Sequence, residues 1–150
     1  MILQLLNEPA FIKNIGDKEV RDDEGALNYI TQGPLSMQES LGFCLYCCQL
    51  KSSGETIGLS GLIKRDGIEY PEDGFAFLEK YRQQGYGLES TREVIKYAKE
   101  TLQMSKLQAI CNPENKASIK LLTRVGFQYL NPISLDGKEE KISLFEKVLR

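Results

Sequence analysis

Phe75-Ala76-Phe77-Leu78-Glu79-Lys80-Tyr81-Arg82-Gln83-Gln84-Gly85-Tyr86-Gly87-Leu88 is the stretch on which the reading of this chain turns. Its first half alternates, with Phe75 and Phe77 on one face of a strand and Ala76 and Leu78 on the other. After the glycines the period changes. Leu88, Thr91, Ile95, Ala98 and Leu102 follow the 3-4-3-4 spacing of an amphipathic helix. A strand therefore runs through a glycine-bearing loop into a helix N-terminus. The first N–H groups of a helix have no intrahelical partner, and the dipole places about half a positive charge there. Gly85 and Gly87 carry no Cβ, so a phosphate can approach the backbone, and Arg82 adds a cation at the rim. Such a site suits a diphosphate.

Outward from this loop the same logic assigns the rest. Residues 1–40 read as helical, with Asp22-Asp23-Glu24 opening a helix that runs to Gly33-Pro34. Phe43–Leu50 and Ile57–Ile63 alternate on either side of Ser52-Ser53-Gly54-Glu55 and predict a hairpin. A third strand is expected over Gly74–Glu79. Leu107–Cys111 reads as a short strand, and Asn115 can cap a helix that buries Ile119, Leu122 and Val125 and stops at Gly126. Phe127–Leu130 is a strand, Asp136-Gly137 a turn, and Ile142, Leu144 and Val148 are expected on one face of a last strand. The order ααββ-β-α-β-α-ββ implies an α/β (α+β) fold: one mixed, mostly antiparallel sheet with helices on both faces, in a single domain over residues 1–150.

Composition narrows the function. The 150 residues carry a net charge of −2 without a basic stripe, so nucleic acid is not an expected partner. No apolar run reaches the ~18 residues of a membrane span, and the N-terminus lacks the basic region of a signal peptide, so a cytoplasmic protein is expected. The absence of histidine removes Ser–His and Cys–His nucleophile pairs and the commonest metal ligand. Cys44 and Cys47 form C-x-x-C, but three residues apart in a strand they point to opposite faces, and no second pair exists. Cys44, Cys47, Cys48 and Cys111 are expected to be reduced and mostly buried. No metal site is expected.

Three phosphate-binding loops compete for Arg82–Leu88. A P-loop needs G-x-x-x-x-G-K-[ST], which does not occur. A dinucleotide-binding loop needs G-x-G-x-x-G, and Gly85-Tyr86-Gly87-Leu88-Glu89-Ser90 falls one residue short. That leaves an oxidoreductase as a distant alternative. Arg82-Gln83-Gln84-Gly85-Tyr86-Gly87 resembles in full the R-x-x-G-x-G loop of the GNAT acetyltransferases. Ile57–Leu62 resembles the family's third strand, Asp73–Phe77 its cofactor strand, and Asn112–Ser118 with Gly126-Phe127 its N-x-x-[AS] … G-F helix. The likeness covers residues 42–150 and follows the branch related to ribosomal-protein N-terminal acetyltransferases.

The resemblance implies acetyl transfer from acetyl-coenzyme A to an amine acceptor. It implies that Phe75, Ala76 and Phe77 pair with the pantetheine arm. Gln83, Gln84, Gly85, Tyr86, Gly87 and Leu88 would hold the pyrophosphate, with Arg82 at the rim and Asn115 on the other wall. Many relatives carry a tyrosine acid where this chain has Leu122, and a base where it has Ile110. The remaining candidate bases are the acids expected just ahead of the cofactor strand, Glu69, Glu72 and Asp73. Asp73 is the best placed, with Ser118 as a hydroxyl relay. The missing tyrosine makes a non-catalytic acyl-coenzyme A-binding protein the alternative. Relatives also open with a strand that Met1–Leu6 does not resemble. The first strand is therefore expected to be missing, which would leave an edge open to homodimer pairing. Protein N-termini, antibiotics and small metabolite amines all remain possible acceptors, and the near-neutral charge argues against a polyamine.

Overall fold

In a computed structural model, all 150 residues are described. Four helical pieces lead: α1 (Ile2–Leu6), α2 (Pro9–Asn14), α3 (Asp23–Ile30) and α4 (Ser36–Leu41). Asp22 caps α3 by accepting the Gly25 N–H at 2.7 Å, as its position before an acidic first turn requires. The helix does not stop at Gly33-Pro34. It passes through a π-helical turn, Thr31–Leu35, that absorbs the proline, and ends at Gly42 in the left-handed region. Six strands and two further helices follow: β1 (Leu45–Gln49), β2 (Thr56–Ile63), β3 (Glu72–Phe77), α5 (Tyr86–Glu100), β4 (Lys106–Cys111), α6 (Lys116–Arg124), β5 (Gln128–Ile133) and β6 (Ile142–Val148). No strand precedes α1 in these residues.

The sheet order is β1-β2-β3-β4-β6-β5. Every pairing is antiparallel except β3–β4, which α5 connects as a parallel pair requires. Two cores lie on opposite faces. Leu59, Leu78, Ala76 and Leu45 pack against α1, α2 and α3, whereas Leu62, Leu107, Ala109, Phe145 and Phe75 pack against α5 and α6. Sheet formation demands small residues inside β2. A Cβ on Gly58 would meet the Ala76 carbonyl at 2.5 Å, and one on Gly61 would overlap the Cys44 carbonyl.

Two expectations change. Strand β3 begins at Glu72, so Glu72 and Asp73 lie within the ladder, opposite Ile63 and Leu62, instead of ahead of it. Ile142, Leu144 and Val148 share a face of β6 as expected, and the buried face is that of Ser143 and Phe145, whose ring packs edge-on against Tyr129. The chain after Gly126 stays extended to Ile133, past Leu130. The turn at Asp136-Gly137 is tight as expected, with both residues at positive φ and Lys138 N–H bonded to Leu135 C=O at 2.9 Å. All four cysteines are free; Cys44 and Cys111 are buried, Cys48 is half-buried and Cys47 is exposed.

Candidate functional site

The site begins where two parallel strands part. One rung, Glu72 with Gln108, joins β3 to β4. Beyond it the strands diverge, leaving the second edge of β3 open. Antiparallel alternation decides which groups face that gap. The Leu78 N–H bonds the Ile57 carbonyl at 2.9 Å, so the main-chain groups of Ala76 and Leu78 point to β2. Those of Phe75 and Phe77 point the other way, into the gap. The strand thus offers two N–H groups and the Phe75 carbonyl to an extended amide chain, in the manner of an added strand.

Six amides follow at the end of the gap. No acceptor within the protein takes the N–H groups of Gln83, Gln84, Gly85, Tyr86, Gly87 or Leu88; the first helical bond of α5 runs from Glu89 N–H to Gly85 C=O at 3.0 Å. Gln83 at φ 60° and Gly85 at φ 88° turn the chain into the helix, and all of these residues but Gln84 line a cavity. Gly85 has open space where a Cβ would stand. The loop therefore presents the bare, dipole-backed cradle that the glycine spacing implies. Arg82 is held inward and does not stand free at the rim. Its Nε donates to the Phe77 carbonyl at 2.9 Å and its Nη2 to Glu8 at 3.0 Å.

Gap and loop open into one cavity of about 380 Å³. Phe75, Ala76 and Phe77 line one side, and Arg82, Gln83 and Gly85 to Leu88 the end. The far wall is α6, from Asn115 through Ser118 and Leu121 to Lys120 and Arg124. Asn115 Oδ1 accepts the Ser118 N–H at 3.2 Å and so caps α6, which leaves its Nδ2 as a free donor. Ala10, Phe11 and Asn14 of α2, with Ile15 just after it, close the remaining side. Sequence reasoning missed Lys120 and Arg124, although their i,i+4 spacing on a helix starting at Asn115 signals a shared face. It had no means of finding α2, which is remote in sequence.

The acids separate. Glu69 is exposed. Glu72 is buried but held by Arg65 at 2.9 Å; burial raises its carboxyl and the guanidinium opposes that rise. Asp73 is 3% exposed, and neither oxygen has a partner. Burial, and then the neighbouring Glu72, push its carboxyl up to about 8. Asp73 points to the α5 face, as does Ser60, two residues along from its cross-strand partner Leu62; Thr91 is buried on α5, and both hydroxyls are also unpartnered. Asp73 does not line the cavity, whereas Ser118 does. Leu122 lies in the core beneath the cavity wall, and its neighbour Leu121 faces the cavity. Burial raises the Cys44 and Cys111 thiols and pushes Cys48 up to about 11, so all three stay protonated and poorly nucleophilic near neutrality.

A profile of the acetyltransferase (GNAT) domain family matches residues 1–128. Among curated proteins, YkkB of Bacillus subtilis (strain 168) is 28% identical over 112 residues, covering 73% of this chain and 64% of that protein. The chain thus spans a little under two thirds of that relative's length. The N-acetyltransferase YnaD of the same organism is 22% identical over 124 residues, covering 73% of this chain and 70% of its own. An acetyltransferase from Agrobacterium tumefaciens str. C58 superposes with a TM-score of 0.80 at 20% identity, over 97% of this chain and 82% of that one. The ribosomal-protein-alanine N-acetyltransferase from Brucella melitensis gives 0.68 at 20% identity, over 83% and 78%. At these identities the structures establish a shared fold.

Proposed function

Because the chain belongs to the GNAT acetyltransferase family, we propose that it transfers an acetyl group from acetyl-coenzyme A to a primary amine, on a protein N-terminus or a small molecule, by direct attack within a ternary complex. The observation that carries this reading is the run of six unpartnered amides from Gln83 to Leu88 at the end of an open strand edge.

The site's residues fit coenzyme A. Amides of Gln83 to Leu88 hold the pyrophosphate, and Lys120 and Arg124 supply cations along the α6 wall. Phe75 and Phe77 pair with the pantetheine amides, and Asn115 Nδ2 reaches the arm from α6. The bound group supplies an activated thioester. Gripping both reactants in one cavity removes the entropy of their encounter, an effect of up to roughly 7–11 kcal/mol in favourable cases. One of the two N–H groups on the open β3 edge stabilises negative charge at the reacting carbonyl oxygen, worth about 2.7–4 kcal/mol in other acyl-transfer sites, while the other pairs with the arm. The amine nitrogen forms the new C–N bond as the C–S bond breaks. Its proton passes to water in the cavity beside Ser118, and the thiolate takes a proton from solvent.

Calorimetry with coenzyme A and thiol release from acetyl-coenzyme A across a panel of amines test the reading. Binding with turnover on at least one amine supports it. Binding without turnover on any amine would leave the non-catalytic acyl-coenzyme A binder, which Leu122 in place of tyrosine favours. Absence of binding would remove both. Melting-temperature shifts against NAD(P) serve as the control, since ligand at a hundred times its Kd stabilises by about 2.7 kcal/mol.

A further inference from the structure

Glu8 occupies the N-cap position of α2, where a side chain ordinarily turns back to its own helix. Its carboxylate does not do so. Both oxygens accept the Glu79 N–H, at 3.1 and 3.0 Å, and Oε2 also accepts Arg82 Nη2 at 3.0 Å. The Glu8 side chain is 13% exposed, so this ion pair is shielded from solvent in a way that surface pairs are not. Arg82 in turn donates through Nε to the Phe77 carbonyl, one of the groups that opens on the gap. One carboxylate therefore fixes both ends of the turn Leu78–Arg82, which leads from the cofactor strand into the phosphate-binding loop. The same residue starts the helix whose Ala10, Phe11 and Asn14 wall the cavity.

We propose that Glu8 is a positioning residue that locks the α1–α2 corner to the cofactor loop, so that Arg82 and the bare amides stand ready for the pyrophosphate before it arrives. The lock lowers the reorganisation that cofactor capture demands. It acts through Arg82 and Glu79, not by touching the ligand. It also makes the α2 wall and the cofactor cradle one unit across more than seventy residues of sequence. This inference rests on the coenzyme A reading above.

The test is Glu8→Gln, which keeps the size and removes the charge that pairs with Arg82. Calorimetry with coenzyme A is expected to show a roughly tenfold weaker Kd. The KM for acetyl-coenzyme A should rise in step, with the loss falling on KM more than on kcat. In the Glu8→Gln, Arg82→Met double variant the combined loss should be smaller than the product of the single losses, because both changes break one interaction. A Kd within twofold of wild type, or strictly multiplicative losses, would overturn the proposal. If Glu8→Gln melts more than a few degrees early, Glu8→Asp carries the same measurement with charge retained and reach shortened. Failure of the wild-type chain to bind coenzyme A would instead sink the functional reading itself.

Discussion

Glu72 and Gln108 face each other in the single rung that holds β3 to β4, and the edge of β3 stands open from there to Phe77. Exchange of the amides along that edge reads the geometry directly. In the free protein, Phe75 and Phe77 should exchange at least ~10-fold faster than Ala76 and Leu78, whose N–H groups are tied to β2. Adding coenzyme A should slow the first pair and leave the second nearly unchanged. Uniform protection across all four would mean that the edge is closed.

Asp73 gives the chain its sharpest pH dependence. Its carboxyl moves from 3.8 to about 8 on burial. Between those values the folded chain keeps a proton that the unfolded chain releases, so stability falls as pH rises from about 4 through about 8. Asp73→Asn removes this slope. We expect it to exceed wild type by roughly 3–5 kcal/mol near pH 8.5, with the gap closing towards pH 4 in urea titrations. Parallel pH curves for the two proteins would show that Asp73 is hydrated and charged.

The same group stands apart from the proposed chemistry. Asp73 lies in the core and does not line the cavity, so kcat/KM should not follow its titration. Asp73→Asn should leave kcat/KM and its pH profile unchanged. A loss of about tenfold or more in the folded variant would show that a proton path reaches it.

Asn115 has two jobs that substitutions can separate. Asn115→Asp retains the oxygen that caps Ser118 N–H and loses the Nδ2 donor, whereas Asn115→Ala loses both. Thermal melts should show Ala destabilised by ~1 kcal/mol and Asp close to wild type. Coenzyme A binding should weaken in both. Normal affinity in Asn115→Asp would confine the residue to its cap.

Gly85→Ala probes the cradle. The left-handed φ of 88° costs an alanine ~1–2 kcal/mol, although nothing stands within 4 Å of the new Cβ. Since that open space is where the phosphates would lie, affinity should drop at least ~10-fold even where the fold survives. Full affinity in a folded Gly85→Ala protein would move the pyrophosphate elsewhere.

Local signals made most of the site readable. The loop glycines, the alternation of Phe75 to Leu78 and the cap at Asn115 each act within a few residues, so their spacing already encodes their geometry. Long-range relations left no such trace. Arg82 was readable as a rim cation, but the carboxylate that holds it gave no sign, because Glu8 is 74 residues away. Asp73 looked like a strand-leading acid because nothing local reveals that β3 reaches back to pair with Leu62. Ile142, Leu144 and Val148 were readable as one face, but alternation does not say which face is buried, and Ser143 and Phe145 take that place. Pro34 looked like a stop because a π turn that absorbs a proline depends on what the next helix packs against.

That π turn has a mechanical meaning. Ala26 and Tyr29 of α3 pack into the core under α1 and α2, while Met37 of α4 packs into the core under α5. One rod thus leans on both sides of the sheet, and the widened turn sets the phase between its halves. Each residue advances an α-helix by about 100°, so removing Gly33 would swing Met37 out of its socket while α3 stayed seated. The two hydrophobic compartments would then loosen independently.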